Sequence, residues 1–219
     1  MSESHGNKYA GWTQALCDHR FGAMAYSARK SPLILLARLW ARPLWWAVSV
    51  SGQTEVVRAD VDRWIDCIGN DALVPLDEYS RFAYLAGALK EFRNVMHYRL
   101  RASPLPLRLV ARVAYRPDPT IVLDSESIGP GFFLHHGTGT ILCATSVGRN
   151  FWLNQHVSIG WSAKGQPTIG DDVTVAAGAV IAGPITIGDG STIGANAVVV
   201  RDVAPGSVMV APMAQPLEK

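Results

Sequence analysis

Cysteine is scarce in this chain of 219 residues: Cys17, Cys67 and Cys143 make an odd number with no paired spacing. That excludes a disulfide scaffold and fits a reducing compartment, so a cytoplasmic protein is expected. The first residues, MSESHGNKYAGW, lack the apolar core of a secretory leader. Net charge is also lacking. A formal +2 is too little for a protein that wraps a polyanion, and no nucleic-acid partner is expected. The charge is unevenly spread, with sixteen basic against eleven acidic residues up to position 120 and four against seven beyond it. Solvated helix faces account for the basic excess.

A long uninterrupted hydrophobic run is missing as well. The most apolar window, Pro32 to Val50, is broken by Arg38, Arg42 and Pro43, which argues against a membrane-spanning helix. A buried or subunit-contacting helix is the first expectation; the second is a segment lying on a membrane surface with its tryptophans at headgroup level. Apolar residues recur at three- and four-residue spacings from Thr54 to Gly69 and from about Leu76 to Leu100, predicting helices. Arg116-Pro117-Asp118-Pro119 cannot continue a helix. The boundary placed there divides a helical N-terminal domain, 1–119, from a second domain, 120–219.

Beyond the boundary the period changes to six. Ile128 and Leu134 are followed, after a slip of one, by Ile141, Val147, Leu153 and Ile159. After a slip of four come Ile169, Val175, Ile181, Ile187, Ile193 and Val199. Neither a helix nor an alternating strand has this period. Short strands joined by tight turns do: three close one triangular coil, and stacked coils form ladders of inward aliphatic residues. The expected fold is α+β, a helical domain followed by a left-handed parallel β-helix. The larger slip marks a loop over Gly160–Pro167, where function tends to sit. Val173, Ala179 and Val198 are expected to be exposed apolar residues that one subunit cannot cover, which predicts a homotrimer, paired through its helical half into a hexamer.

The pair His135-His136 follows Leu134 at the first slip. Acyl transfer to an alcohol needs a base to take the hydroxyl proton, and histidine suits that near neutral pH. Gly137 and Gly139 are read as letting the chain turn so that His136 projects toward the subunit interface.

Several stretches resemble the serine O-acetyltransferases and their relatives in capsule and exopolysaccharide synthesis: Phe133-Leu134-His135-His136-Gly137-Thr138-Gly139, Gln155-His156-Val157-Ser158-Ile159-Gly160, Pro167-Thr168-Ile169-Gly170-Asp171-Asp172, Gly183-Pro184-Ile185-Thr186-Ile187-Gly188-Asp189 and Ile193-Gly194-Ala195-Asn196. Upstream, Glu91-Phe92-Arg93-Asn94-Val95 looks like the helix that precedes the coils in capsule-type members. The resemblance implies a trimer with acetyl-CoA as co-substrate between the coils of adjacent subunits, no metal, and His136 as catalytic base. It draws Gly160, Lys164, Ala176, Ala177, Gly194, Ala195 and Arg201 to the acetyl-CoA side, and His135, Gln155, Trp161 and Gln166 to the acceptor.

The departures point away from plain serine. His135 stands where serine-specific members have aspartate, Gln166 replaces a loop histidine, and Trp161 replaces a glycine. The carboxylate that orients the base in the family falls on Ile121, leaving Asp118, Asp124 and Glu126 as the nearest candidates. A free ammonium without a counter-charge is costly, so the expected acceptor is a small molecule or sugar hydroxyl. Serine in a modified pocket is the alternative. Two other classes compete. A γ-carbonic-anhydrase-like zinc site would use His135, His136 and His156, but His156 falls one place off the column of His136. A non-catalytic trimeric scaffold is the third.

Overall fold

The structure, a computed structural model, describes residues 32–215. Cys17 and the last four residues, from Pro216, lie outside the described residues. Five helices come first: α1 (Pro32–Val50), α2 (Thr54–Ile68), α3 (Glu78–Ala88), α4 (Lys90–Arg99) and α5 (Leu105–Ala114). Gly69 ends α2 in the left-handed conformation, with its N–H returned to Ile65 O. Asp77 caps α3 by accepting from Ser80 N. The pattern read as one helix from Leu76 to Leu100 is two. Leu89 adopts an extended backbone between α3 and α4, which bends the chain while keeping Leu85 and Phe92 in one core.

From Val122 onward the chain winds into a parallel β-helix with three sheets of five, four and five short strands. Leu123, Leu142, Ile159, Ile181 and Val199 pair in register in the first sheet, Ile128, Val147, Ile169 and Ile187 in the second, and Leu134, Leu153, Val175 and Ile193 in the third. Most of these side chains are fully buried. Each contributes about 1.5–3 kcal/mol of burial, an upper estimate for a real unfolded chain.

Two sequence expectations are corrected. Ile141 points outward and is 44% exposed, while Leu142 carries the inward ladder. The first interruption therefore adds two residues between Leu134 and Leu142, and the next strand recovers one. Val173 and Ala179 are fully buried, and of the three residues expected outside only Val198 is exposed. The uncovered apolar stripe is the outward row of the first sheet, Val122, Ile141, Val180 and Val198, interrupted by Ser158.

The helical half and the coils share one hydrophobic core. An edge-to-face aromatic chain runs from Trp45 through Phe82, Phe92 and Trp64 to Phe133 and Trp152, with centroids 4.8–5.7 Å apart. Trp64 Nε1 donates to Phe132 O at 2.7 Å. Beside it lies a buried ion pair. Asp60 accepts from Arg99 Nε and Nη2 at 2.8 and 3.0 Å and from the N–H groups of Gly131 and Phe132 at 2.9 and 3.0 Å. Arg99 also donates to the carbonyls of Ile128 and Gly129. The helices are thus tied to the first coil immediately before the histidine pair.

Candidate active site

A cavity of about 530 Å³ opens between the helices and the first coils. The coil wall carries Phe133, Leu134, His135, His136 and Thr138. The helical wall carries Trp64, Cys67 and Ile68 from α2 and Leu89, Lys90 and Glu91 around the start of α4, with Asp118 beside them.

Backbone conformation sets His136 apart. Two columns of coil corners have positive φ: Gly131, Asn150, Asp172, Gly190 and Gly206 form one, and Gly139, His156, Gly178 and Asn196 the other. His136, at φ 60°, belongs to neither. It lies in the two-residue excess between Leu134 and Leu142, where the chain leaves the repeat. A left-handed conformation costs a non-glycine residue about 1–2 kcal/mol. The turn therefore arises at His136 itself and at Gly139, and Gly137 has a different role. A Cβ at position 137 would come within 2.8 Å of Leu134 Cγ and 2.9 Å of Ile121 Cδ1, so only glycine fits beneath the pair.

His135 is half-buried among rings. It stacks on Phe133 at 5.6 Å, meets Trp152 at 5.7 Å and lies 4.0 Å from the His136 ring centroid. Its Nδ1 is 2.9 Å from Asn154 Oδ1. Asn154 Nδ2 is committed to Val175 O at 3.0 Å, so Oδ1 faces the imidazole and His135 Nδ1 is the donor. Neutral His135 then carries its lone pair on Nε2. Burial pulls its pKa below the usual histidine value, and nearby His136 acts in the same direction. The Asn154 bond and the charge of Glu91 oppose this.

The register stacks His136, Gln155, Ala177 and Ala195 along one edge of the prism, and His135, Asn154, Ala176 and Gly194 beside them. Seven of the predicted positions thus share one edge. Gln155 Oε1 is buried with no hydrogen-bond partner among the described residues, as is Gln166 Oε1 at the end of the loop. In the loop, Ser162 and Gly165 exchange backbone hydrogen bonds at 3.0 and 3.2 Å, making a tight turn. Trp161, 72% exposed, and Lys164 project from it. Gly160 has open space where a side chain would be, and Arg201 is exposed beyond the first sheet's last strand.

The carboxylates separate. Asp118 reaches the cavity of the histidines, but its Oδ1 accepts from Thr120 N and Oγ1, which holds its pKa below the usual carboxylate value. Asp124 lines another cavity, on the side of Arg108 and Arg112, and does not meet His136. Of the three carboxylate candidates, Asp118 is the one that lines the histidine cavity. His156 packs over Gly139, with Nδ1 2.7 Å from where a Cβ would stand. Glu91 and Asn154 are the residues that sequence reasoning missed. Asn154 was accessible, since it stands nineteen residues after His135, the same offset that pairs Leu134 with Leu153. Glu91 reaches the site only because α4 docks there.

Residues 166–201 match the bacterial transferase hexapeptide family (six repeats). Over 114 residues the chain is 40% identical to the serine acetyltransferase of Mycobacterium tuberculosis, covering 47% of this chain and 49% of that protein. The coils are thus similar to those of serine acetyltransferases and include a stretch of hexapeptide repeats. It is also 37% identical over 87 residues to probable serine acetyltransferase 5 of rice, covering 36% of this chain and 25% of that one. The chain thus spans about half the length of the first of these curated relatives and about a quarter of the second. Among solved structures, the Neisseria gonorrhoeae serine acetyltransferase in complex with serine superposes with a TM-score of 0.58 at 23% identity, covering 98% of this chain and 100% of that one. Isoform 3 from Entamoeba histolytica, in complex with cysteine, gives 0.56 at 22%, covering 83% and 67%. These likenesses establish the fold: helices followed by a parallel β-helix of about five turns.

Proposed function

We propose that this protein is an acetyl-CoA-dependent O-acetyltransferase with His136 as its base. The observation that carries this reading is His136 held in a left-handed conformation outside both corner columns, on the wall of a cavity, in a chain whose coils resemble serine acetyltransferases. In the reaction, His136 takes the acceptor's hydroxyl proton as that oxygen attacks the thioester carbonyl. The tetrahedral intermediate expels the CoA thiolate, which recovers the proton from the imidazolium. His135, fixed by Asn154 and with its pKa lowered by burial, places a neutral ring rather than a second cation beside the base.

The outward apolar row of the first sheet supports a homotrimer around acetyl-CoA, whose path would follow the edge from Gln155 past Ala177 to Ala195. Cys67 and Cys143 are free thiols, in keeping with a cytoplasmic setting.

For the acceptor we propose a hydroxyl compound without a free ammonium, bound by the neutral groups of His135, Gln155 and Gln166 and by the aromatic face of Trp161. A second reading, serine itself, is favoured by one specific observation. Glu91 stands on the cavity wall, its charge felt by His135, with no hydrogen-bond partner among the described residues, and so offers a counter-charge to an ammonium. Release of CoA thiol with L-serine, compared with a panel of sugars and hydroxy acids, decides between the two. A serine kcat/KM of about 10⁴ M⁻¹s⁻¹ or more, lost on Glu91→Gln, selects serine. No acceptor-dependent release with any member of the panel refutes the transferase reading.

A further inference from the structure

Two neighbouring helices leave an apolar face uncovered. On α1, Leu35, Leu36, Leu39, Trp46 and Val50 are exposed, Leu39 by 67%. Their spacing puts them on one side of the helix. The opposite side, with Ala41, Leu44 and Val48, is buried against the rest of the helical half. On α5, Leu105, Leu109, Val110 and Val113 are exposed, Val113 by 74%, and Ala111 alone is fully inside. The two helices lie side by side. Tyr115, just past α5, donates to Trp40 O at 2.6 Å and packs on the Trp40 ring at 4.5 Å, and Trp46 and Val50 share a cavity wall with Pro104 and Leu107. The exposed rows therefore make one surface.

The charged residues of the two helices are all basic. Neither helix contains an aspartate or glutamate. Arg38 is taken by Asp77 at 2.8 Å, but Arg42, Arg108, Arg112 and Arg116 form no ion pair among the described residues. The last three line one cavity of about 770 Å³ beside α5, with Asp118 and Asp124 also on its wall. An apolar face carrying tryptophan and flanked by unpaired arginines matches the headgroup boundary of a bilayer: apolar side chains enter the acyl region and the arginines meet lipid phosphates. A second copy fits less well, because a two-fold contact would bring arginine against arginine with no acidic partner on either helix. Spanning is disfavoured as well. By length and composition α1 could cross a membrane, but Arg42 and Pro43 interrupt it and its other side is built into the core.

We propose that the outward faces of α1 and α5 form a docking surface for an anionic lipid bilayer, on which the protein lies without crossing it. This is independent of the acetyl-transfer reading and is tested without turnover. The full-length protein is floated with vesicles of phosphatidylcholine alone and with vesicles containing phosphatidylglycerol. Partition onto the anionic vesicles, weakened by salt, is expected. Arg108→Gln with Arg112→Gln should reduce it about 30-fold, the equivalent of ~1 kcal/mol for each arginine near the surface. Leu39→Glu with Leu109→Glu should abolish it, while circular dichroism and mass by light scattering stay unchanged, since both side chains already meet solvent. Three results overturn the proposal: no partition by the wild-type protein onto either vesicle, partition equal on both and insensitive to salt, or a doubled mass in solution that the same leucine substitutions halve.

Discussion

Removing Asp60 tests whether the two halves stand as one unit. Asp60 is wholly buried and accepts the four hydrogen bonds described above, from Arg99, Gly131 and Phe132. In Asp60→Ala the guanidinium keeps its carbonyl partners, Ile128 and Gly129, but loses its counter-charge, and two coil N–H groups lose their acceptor. Breaking a buried pair from one side costs about 3–5 kcal/mol. At roughly 2–4 °C per kcal/mol for a chain of this size, the melting temperature should fall by about 6–20 °C. Thermal and urea unfolding at one fixed protein concentration measure it, because an oligomer's stability depends on concentration. Asp60→Leu with Arg99→Met, which removes both charges, should cost less than the sum of the single changes. A melting temperature within about 2 °C of wild type for Asp60→Ala would refute the idea that this pair ties the helices to the first coil.

The other predictions concern the site. His136→Ala should lower CoA release by about 10²–10⁴-fold without changing the oligomeric mass, and kinetics within a factor of about two would remove His136 from the mechanism. Gly137→Ala should destabilise by about 1–3 kcal/mol in urea unfolding, because its methyl group overlaps Leu134 and Ile121; an unchanged midpoint would contradict the packing. Burial lowers the His135 pKa below its unfolded value of about 6.5, so its stabilising contribution is present above that pH and is lost as pH falls through the folded value. Wild-type stability should therefore drop more steeply than that of His135→Gln between about pH 7 and pH 5, and parallel curves would sink the assignment. Burial pushes the Cys67 thiol up to about 11, so it should stay unalkylated by iodoacetamide in the folded protein at about pH 8. Rapid labelling there would show that the cavity wall is open.

Much of this was legible in the linear chain, because a coil of six-residue steps repeats its constraint at every step. An inward aliphatic residue, a small neighbour and a tight corner recur from Ile169 to Val199 without tertiary help. The change of period after Arg116-Pro117-Asp118-Pro119, the His135-His136 pair at a slip and the loop from Gly160 were visible for the same reason. The size of the first slip was not, since Ile141 and Leu142 are both aliphatic and only strand pairing with Ser158 and Ile159 shows which one points inward. Val173 and Ala179 were misread as exposed because an apolar residue between ladder positions serves equally at a buried corner. What meets the histidines was decided by docking alone. Trp64, Glu91 and Arg99 lie on helices whose apolar spacing shows that a face is buried but not against what. The Asp60–Arg99 pair and the aromatic chain from Trp45 to Trp152 fix that orientation, and with it bring Glu91 to the cavity wall and leave Asp124 outside it.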